Sequence, residues 1–398
     1  MNGRGQLVRC LVLAVSVLAM CGYAAGANTQ PKTGQATGSD TQSFERLASR
    51  AQAAMAGNRV PEAIRLYGEA TAVRPSWSEG WWCLGTLYFD NNQMANARNA
   101  FLRFVSVEHG QPGPGYGMLG LSEYQLKNYP LALAAFERGR QLGLGDNPDF
   151  VHRVLYLDGV VNNFLGHPEV ALVRLTLVAN QLAAGHAEAP RQTVIDDLEL
   201  LDAFGLAALR IQKLPQDLSG DQRSLVRQAG HAQALIALQD RTTAGTELKH
   251  LVAQHPSDPG VHYMYGVYLL KEDPPSAMGE FRREIEVSPR SAAAYIQVAL
   301  GHLENAEFKQ GLPYAQKATA LAPDNFVAHV ACGRLQLGLG DTRRAIRELR
   351  TAVRLSPGSP DAHFALSRAL TEAGSKNEAA RERKEFERLK AISNAADR

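Results

Sequence analysis

Small residues recur along the chain at a nearly constant interval, and this spacing constrains the fold more than any other sequence feature. From residue 51 to residue 159 the intervals are 34, 35 and 39 residues, and from residue 232 to residue 367 they are 34, 33, 34 and 34. The series comprises Ala51, Gly85, Gly120, Gly159, Ala232, Gly266, Ala299, Gly333 and Ser367. A second series keeps almost the same intervals and comprises Ala63, Ala97, Ala132, Ala171, Ala244, Ala277, Gly311, Ala345 and Ala379.

The clearest single period is the stretch Ser78–His109. Four of its residues fall at i, i+3, i+4 and i+7, which places them on one face of a helix; they are Trp81, Leu84, Gly85 and Tyr88. Asp90, Asn91 and Asn92 predict a turn, after which Ala97 and Phe101 mark a second helix. Gly85 and Ala97 lack bulk, so the two antiparallel helices can approach closely where they cross. One such pair cannot bury its apolar face alone, so neighbouring pairs must stack on it.

These motifs, Trp81-x2-Leu84-Gly85-x2-Tyr88 followed by Ala97-x3-Phe101, resemble the tetratricopeptide repeat. The resemblance extends over most of residues 44–393 as nine degenerate repeats. It implies an all-α fold, a tetratricopeptide-type superhelical solenoid of antiparallel helix pairs. The expected organisation is repeats 1–4 in residues 44–185 and repeats 5–9 with a C-terminal capping helix in residues 225–398.

The interval of 73 residues between Gly159 and Ala232 exceeds one period by 39 residues, which predicts a helical insertion over residues 186–224. Within it, Thr193–Lys213 reads as one long apolar helix that ends before Leu214-Pro215. Such a helix is either a spacer that changes the direction of the array or a segment that packs into its groove, and we favour the spacer.

Residues 1–27 have the pattern of a signal peptide, with two arginines, a short apolar run and an A-x-A cleavage site. We therefore expect a periplasmic or secreted protein, with residues 28–43 as a disordered linker. A lipid anchor at Cys21 is the alternative, although Met20 is atypical of lipoprotein signals. No later apolar run reaches the roughly 18 residues of a membrane span. Removal of the two arginines lowers the formal charge from +2 to zero, which argues against nucleic acid as a partner.

No motif in the chain predicts catalysis or a cofactor, so we expect a protein that is not an enzyme. His262, His329 and His363 share the position of Trp81 in three repeats. Equivalent residues of stacked helices lie roughly 8–10 Å apart, too far for one metal site, so we expect packing histidines and no metal. An enzyme that uses these histidines would require residues from different repeats to converge. Cys83 and Cys332 lie in distant repeats and are expected to be small buried residues.

We therefore expect the protein to function by binding a partner at its surface. In the tetratricopeptide family the first helices line a concave groove that serves this purpose. One residue beyond each packing position, the sequence places mostly apolar and aromatic side chains. The predicted partner-binding residues are Trp82, Phe89, Leu121, Tyr124, Tyr156, Tyr263, Arg334, Phe364 and Arg368. Family members that bind C-terminal carboxylates use Lys, Arg and Asn at such places, whereas here the charged residues are Arg334 and Arg368.

An apolar groove of this kind suits an extended segment or an amphipathic helix of a protein partner. We therefore expect a protein-interaction scaffold or assembly factor of unknown partner. The alternative is a lipid-anchored structural subunit of a cell-envelope complex. For the groove itself, the competing interpretation is that tight curvature of the array buries these side chains.

Overall fold

The computed structural model describes residues 38–185 and 189–396. Within these ranges the chain forms α-helices and one short 3-10 helix and contains no strand, which confirms the all-α prediction. None of the described helices is long and apolar enough to cross a membrane. The predicted signal peptide, with Cys21, and most of the predicted linker lie outside the described residues. The last six linker residues, 38–43, are helical rather than disordered, because the first helix already begins at Gly38.

The chain divides into two compact units. Unit 1 extends to Ala207 and also includes Gln212–Ser219. Its helices are α1 (Gly38–Ala56), α2 (Val60–Val73), α3 (Ser78–Asp90), α4 (Met94–Val107), α5 (Gly113–Gln125), α6 (Tyr129–Leu142), α7 (Pro148–Phe164), α8 (Pro168–Gly185), α9 (Pro190–Asp196) and α10 (Leu198–Ala208).

Unit 2 comprises Ala208–Ile211 and the chain from Gly220 onward. Its helices are α11 (Gly220–Ala237), α12 (Arg241–Gln254), α13 (Val261–Glu272), α14 (Pro274–Val287), α15 (Ala292–Glu304), α16 (Phe308–Leu321), α17 (Phe326–Gly338), α18 (Thr342–Leu355), α19 (Pro360–Glu372) and α20 (Lys376–Ala396). Apart from α9 and α10 of the insertion, consecutive helices pair as hairpins, and the odd-numbered first helix of each pair precedes its even-numbered second helix.

The hairpins close where a small residue of the first helix meets a large side chain of the second. A Cβ atom added to Gly85 would lie 2.7 Å from the ring of Phe101, a distance that real Cβ contacts do not show. Gly266 has the same relation to Phe281, also at 2.7 Å. The recurrent small residue is therefore a requirement of close helix crossing, as its spacing predicted.

The turns inside the hairpins also follow the sequence. Asn92 lies between α3 and α4 with a φ of +58°, a conformation that Asn adopts more readily than most residues. Several helices begin with a side-chain cap: Asp341 accepts a hydrogen bond from the backbone N–H of Arg344, and Ser359 accepts one from that of Ala362. These caps satisfy N–H groups that the first turn of a helix leaves without partners.

The fourth repeat departs from the pattern at Asp158, which occupies the usual Leu position and is fully buried. Its carboxylate lies 2.7 Å from Nε of Arg140 and 3.3 Å from Nε of Arg174, and Asn162 donates a hydrogen bond of 2.6 Å to its other oxygen. Arg140 belongs to α6 and Arg174 to α8, so an ionic cluster replaces an apolar contact between three consecutive helices. Burial raises the pKa of Asp158, and the two arginines oppose that shift.

The insertion contains two helices, so the prediction of one long helix over Thr193–Lys213 is wrong. The break falls at Asp197, whose side chain accepts a hydrogen bond of 3.0 Å from the backbone N–H of Leu200 and so caps α10. The second helix ends at Ala208, and Arg210 follows with a φ of +57°. A short 3-10 helix, Pro215–Asp217, then leads into α11.

Candidate functional site

Three of the predicted groove residues, in the second and third helix pairs of unit 1, pack within the protein. The ring of Trp82 is half-buried and lies 5.8 Å from that of Phe101 and 5.2 Å from that of Phe104, both on α4. Phe89 and Leu121 are buried, with 7% and 6% of their surface exposed. The structure thus places Trp82 as a lateral contact inside its own repeat, and a role for it in partner binding stays a prediction.

The other two predicted groove residues of unit 1 face the insertion. The hydroxyl of Tyr156 on α7 lies 3.5 Å from the backbone oxygen of Glu199 in α10, and its side chain is buried. The hydroxyl of Tyr124 on α5 lies 3.5 Å from the side-chain nitrogen of Gln216. The insertion therefore packs against the first-helix face of unit 1. This was the alternative interpretation of the sequence, from which we had favoured a spacer.

In unit 2 the first predicted groove residue, Tyr263, is also buried. Its ring lies 5.7 Å from that of Phe281 and 5.1 Å from the guanidinium carbon of Arg210. A Cβ atom on the neighbouring Gly260 would collide with the backbone oxygen of Leu209. The segment Ala208–Ile211 thus covers the start of α13 and the side chain of Tyr263.

The remaining three predicted groove residues come together in one pocket of about 230 Å³. We call it the arginine pocket; its lining includes Leu303, Arg334, Leu337, Phe364, Arg368 and Glu372, which lie on α15, α17 and α19. Phe364 is 41% exposed, so its ring is available to a ligand. Phe308, at the start of second helix α16, also lines the pocket and was not among the predicted residues.

The two arginines of this pocket hold equivalent places in consecutive repeats, one residue after Gly333 and Ser367. Both side chains are exposed. Neither forms an ion pair with any residue in the described part of the chain, although Glu372 lies on the same pocket wall. The pocket thus offers two uncompensated guanidinium groups beside the apolar surface of Leu337 and Phe364.

The three histidines of the Trp81 position form a second, buried set of contacts in unit 2. In each case Nδ1 lies 2.6–2.7 Å from a glutamate on the second helix of the same repeat. In each case Nε2 lies 2.9–3.0 Å from the backbone oxygen of the proline six residues earlier. The sets are His262 with Glu280 and Pro256, His329 with Glu348 and Pro323, and His363 with Glu382 and Pro357.

Trp81 shows which hydrogen bond a side chain at this position makes. Its indole Nε1 donates a hydrogen bond of 2.9 Å to the backbone oxygen of Pro75, also six residues earlier. A histidine Nε2–H makes the same contact, because a carbonyl oxygen can only accept. Nδ1 faces the glutamate carboxylate, so both ring nitrogens are engaged within the repeat and neither is left for a metal or a substrate.

These contacts support the interpretation of the histidines as packing residues. Each ring is held inside its own repeat, so the three do not converge on one another. Within the described residues, no group of three or more His, Cys, Asp or Glu side chains is arranged to hold a metal ion. Cys83 and Cys332 are both buried, with 1% exposed, as the sequence predicted.

Comparisons with known proteins agree with this architecture. The family model described as tetratricopeptide repeat matches residues 49–116 and 330–383. These two stretches of the chain thus contain tetratricopeptide repeats. This family is one of protein-interaction scaffolds, and its fold typically has no catalytic activity of its own.

Solved structures resemble parts of this tetratricopeptide-repeat chain. MamA 41-end from Desulfovibrio magneticus RS-1 is 20% identical over 42% of this chain and 96% of its own, with a TM-score of 0.38. YrrB, titled a TPR protein with an unusual peptide-binding site, is 15% identical over 42% of this chain and 89% of its own, with a TM-score of 0.37. No curated protein matches the sequence.

Proposed function

We propose that the protein is an exported scaffold that binds a segment of a protein partner in the arginine pocket of unit 2. The observation that carries this proposal is the pair Arg334 and Arg368, which lie exposed beside an exposed phenylalanine and form no ion pair with the described residues. Surface arginines without a structural partner, next to an apolar wall, are typical of sites that recognise a carboxylate and an adjacent side chain.

The pocket indicates the chemistry of the partner segment. A carboxylate of the segment would bind between Arg334 and Arg368, and an apolar side chain would pack on Phe364 and Leu337. Glu372 on the same wall would repel a second acidic group placed beside it. The site therefore favours one acidic residue with apolar neighbours rather than a continuous acidic run.

The segment could extend from the arginine pocket along the other first helices of unit 2. Val267 and Leu270 on α13 are 43% and 40% exposed, and Leu300 on α15 is half-buried. These side chains provide an apolar path like the one that the sequence predicted.

A display library of random peptides, selected on the purified mature protein, tests this function. Selected peptides should carry an Asp, a Glu or a terminal carboxylate next to a large apolar residue. Selection should fail on the variant Arg334→Glu/Arg368→Glu. The matched control is Arg347→Glu, which reverses an exposed charge on α18, the second helix of the same repeat as Arg334. Enrichment of basic peptides, or equal selection on both variants, would contradict the proposal.

Export is the less direct part of the proposal, since it is based on the signal pattern in residues 1–27 and on no structural observation. The lipid-anchored subunit remains the alternative, because Leu18-Ala19 precede Cys21. Mass spectrometry of the protein from its own cells separates the two: cleavage after Ala27 supports a free exported protein, whereas an acylated Cys21 at the N-terminus supports the anchored one. An uncleaved Met1 in the main species would exclude both.

A further inference from the structure

The two units differ in what lies on their first helices. In unit 2 the arginine pocket is open. Residues 197–207 and 212–217, which we call the inserted segment, belong to unit 1, and Glu199 and Gln216 of this segment lie against first helices α7 and α5. We propose that the inserted segment is a permanent internal ligand of the first-helix face of unit 1 and closes that face to partner segments.

The polar contacts show where the inserted segment lies. The backbone oxygen of Glu199 is 3.5 Å from the hydroxyl of Tyr156 on α7, and Gln216 is 3.5 Å from the hydroxyl of Tyr124 on α5. A Cβ atom on Gly166, in the turn after α7, would lie 2.8 Å from the side-chain nitrogen of Gln212. The contacts thus run from α5 along α7 to the turn that follows it.

The apolar side chains of α10 are buried in the protein. Leu200 and Phe204 of α10 have no exposed surface, and Leu201 and Leu206 are 5% and 1% exposed. From Leu200 onward every residue of α10 is buried, so this part of the helix is enclosed by other parts of the protein. A partner peptide that displaced α10 would have to expose these four side chains to water, so displacement is strongly unfavourable.

The ionisable groups of α7 give independent support. Burial lowers the pKa of His152, and nearby Asp197 opposes this shift. Burial also raises the pKa of Tyr156, and Glu199 adds to that rise. Tyr156 is buried and His152 is half-buried at the place where the inserted segment approaches α7.

Aromatic packing supports the same arrangement at the other end of the segment. The ring of Tyr129 lies 5.8 Å from that of Tyr124 and 4.9 Å from that of Phe164. These rings, at the start of α6 and the ends of α5 and α7, form the surface beside the 3-10 helix Pro215–Asp217. An aromatic surface of this kind would serve as a peptide site in an open groove, and here the protein's own chain lies on it.

Photo-crosslinking of the full-length protein tests the inference. A benzophenone amino acid replaces Tyr156, and a synthetic peptide of residues 195–219 is added in tenfold excess. Adducts within the chain, to residues 197–217, with none to the added peptide support a permanent internal ligand. Adducts to the added peptide, or an absence of adducts to residues 197–217, would overturn it.

Hydrogen exchange of the unmodified protein provides a second test, because a bulky group at position 156 could disturb folding. Amides of α10 should be protected at least as strongly as those of α4, a second helix in the interior of unit 1. The protection should not change when a peptide selected on the arginine pocket is added at saturation. Exchange of α10 more than tenfold faster than that of α4, or a loss of protection on peptide binding, would overturn the inference.

Discussion

The pairing of His329 with Glu348 should contribute measurably to stability, and the structure allows the size to be worked out. The perturbation is Glu348→Gln, which keeps the shape of the side chain and removes its charge. Oε2 of Glu348 lies 2.7 Å from Nδ1 of His329. A hydrogen bond to a charged group contributes roughly 1.5–3 kcal/mol. The side chain of His329 is 11% exposed and that of Glu348 is 30% exposed, so solvent screens the pair in part. We therefore expect Glu348→Gln to lower the free energy of unfolding by about 1–2 kcal/mol.

The assay is a double-mutant cycle of Glu348→Gln and His329→Gln, measured by urea unfolding and helical circular dichroism. The coupling energy between the two positions should be about 1 kcal/mol or more, because each substitution removes the same charge-assisted contact. Arg65 and Glu69 provide the matched control, since they lie 2.6 Å apart but are 55% and 45% exposed. An exposed pair of this spacing on a helix contributes about 0.3–0.5 kcal/mol. A coupling energy for His329 and Glu348 no larger than that of the control would refute the reasoning.

The remaining predictions concern the helix crossings, the ionic cluster and the thiols. Gly85→Leu should destabilise the protein by about 1–3 kcal/mol through overpacking against Phe101, whereas Gly68→Ala should not, since nothing lies within 4 Å of a Cβ atom there; equal thermal stabilities would contradict the crossing. Asp158 has a raised pKa, so its contribution to stability is greatest below the unfolded-state pKa of about 3.9 and is lost as the pH rises through the folded-state pKa. The stability of Asp158→Asn relative to the wild type should therefore increase as the pH is raised from about 4 to about 7. Urea unfolding of both proteins at the two pH values measures this difference. A relative stability of the variant that falls as the pH rises would contradict the prediction. Burial raises the pKa of Cys332 to about 12, so iodoacetamide should not label it at pH 8 until urea unfolds the protein.

Local chemistry made much of the fold predictable. The interval between Gly85 and Ala97 predicted a hairpin, and the ring of Phe101 lies where the missing side chain of Gly85 leaves room. Turn residues such as Asn92 and caps such as Asp341 also act within a few positions of the chain. Such features are accessible from the sequence because the residues that interact are close in it.

The side chains that contact the histidines could be identified only from the structure. The sequence placed His262, His329 and His363 at the Trp81 position but did not connect them with glutamates. Those glutamates follow 18, 19 and 19 residues later, a spacing that repeats and would have been a usable signal. The contact depends on the crossing of two helices rather than on neighbours along one helix.

The packing of the insertion also could not be predicted from the sequence. Its composition allowed either a spacer or a groove ligand, since an apolar helix can be buried against any surface. The contact between Tyr156 and Glu199 joins residues 43 positions apart. Asp197 ends the predicted helix because its side chain accepts a hydrogen bond from the backbone and so caps α10. Such a side-chain hydrogen bond competes with those of the helix backbone, and hydrophobic periodicity does not reveal it. Arg334, Phe364 and Arg368, by contrast, were predicted groove residues that the structure places in one pocket.

The central claim is that a partner segment binds in the arginine pocket of unit 2. Its most direct test is the affinity of one selected acidic–apolar peptide, measured by isothermal titration calorimetry at constant ionic strength. Arg334→Glu/Arg368→Glu should weaken binding by about a hundredfold or more, since each lost charged contact corresponds to roughly tenfold. Arg347→Glu, which reverses an exposed charge on α18, should change the affinity by less than about twofold. Unchanged affinity in the double variant, or an equal loss in Arg347→Glu, would contradict the account.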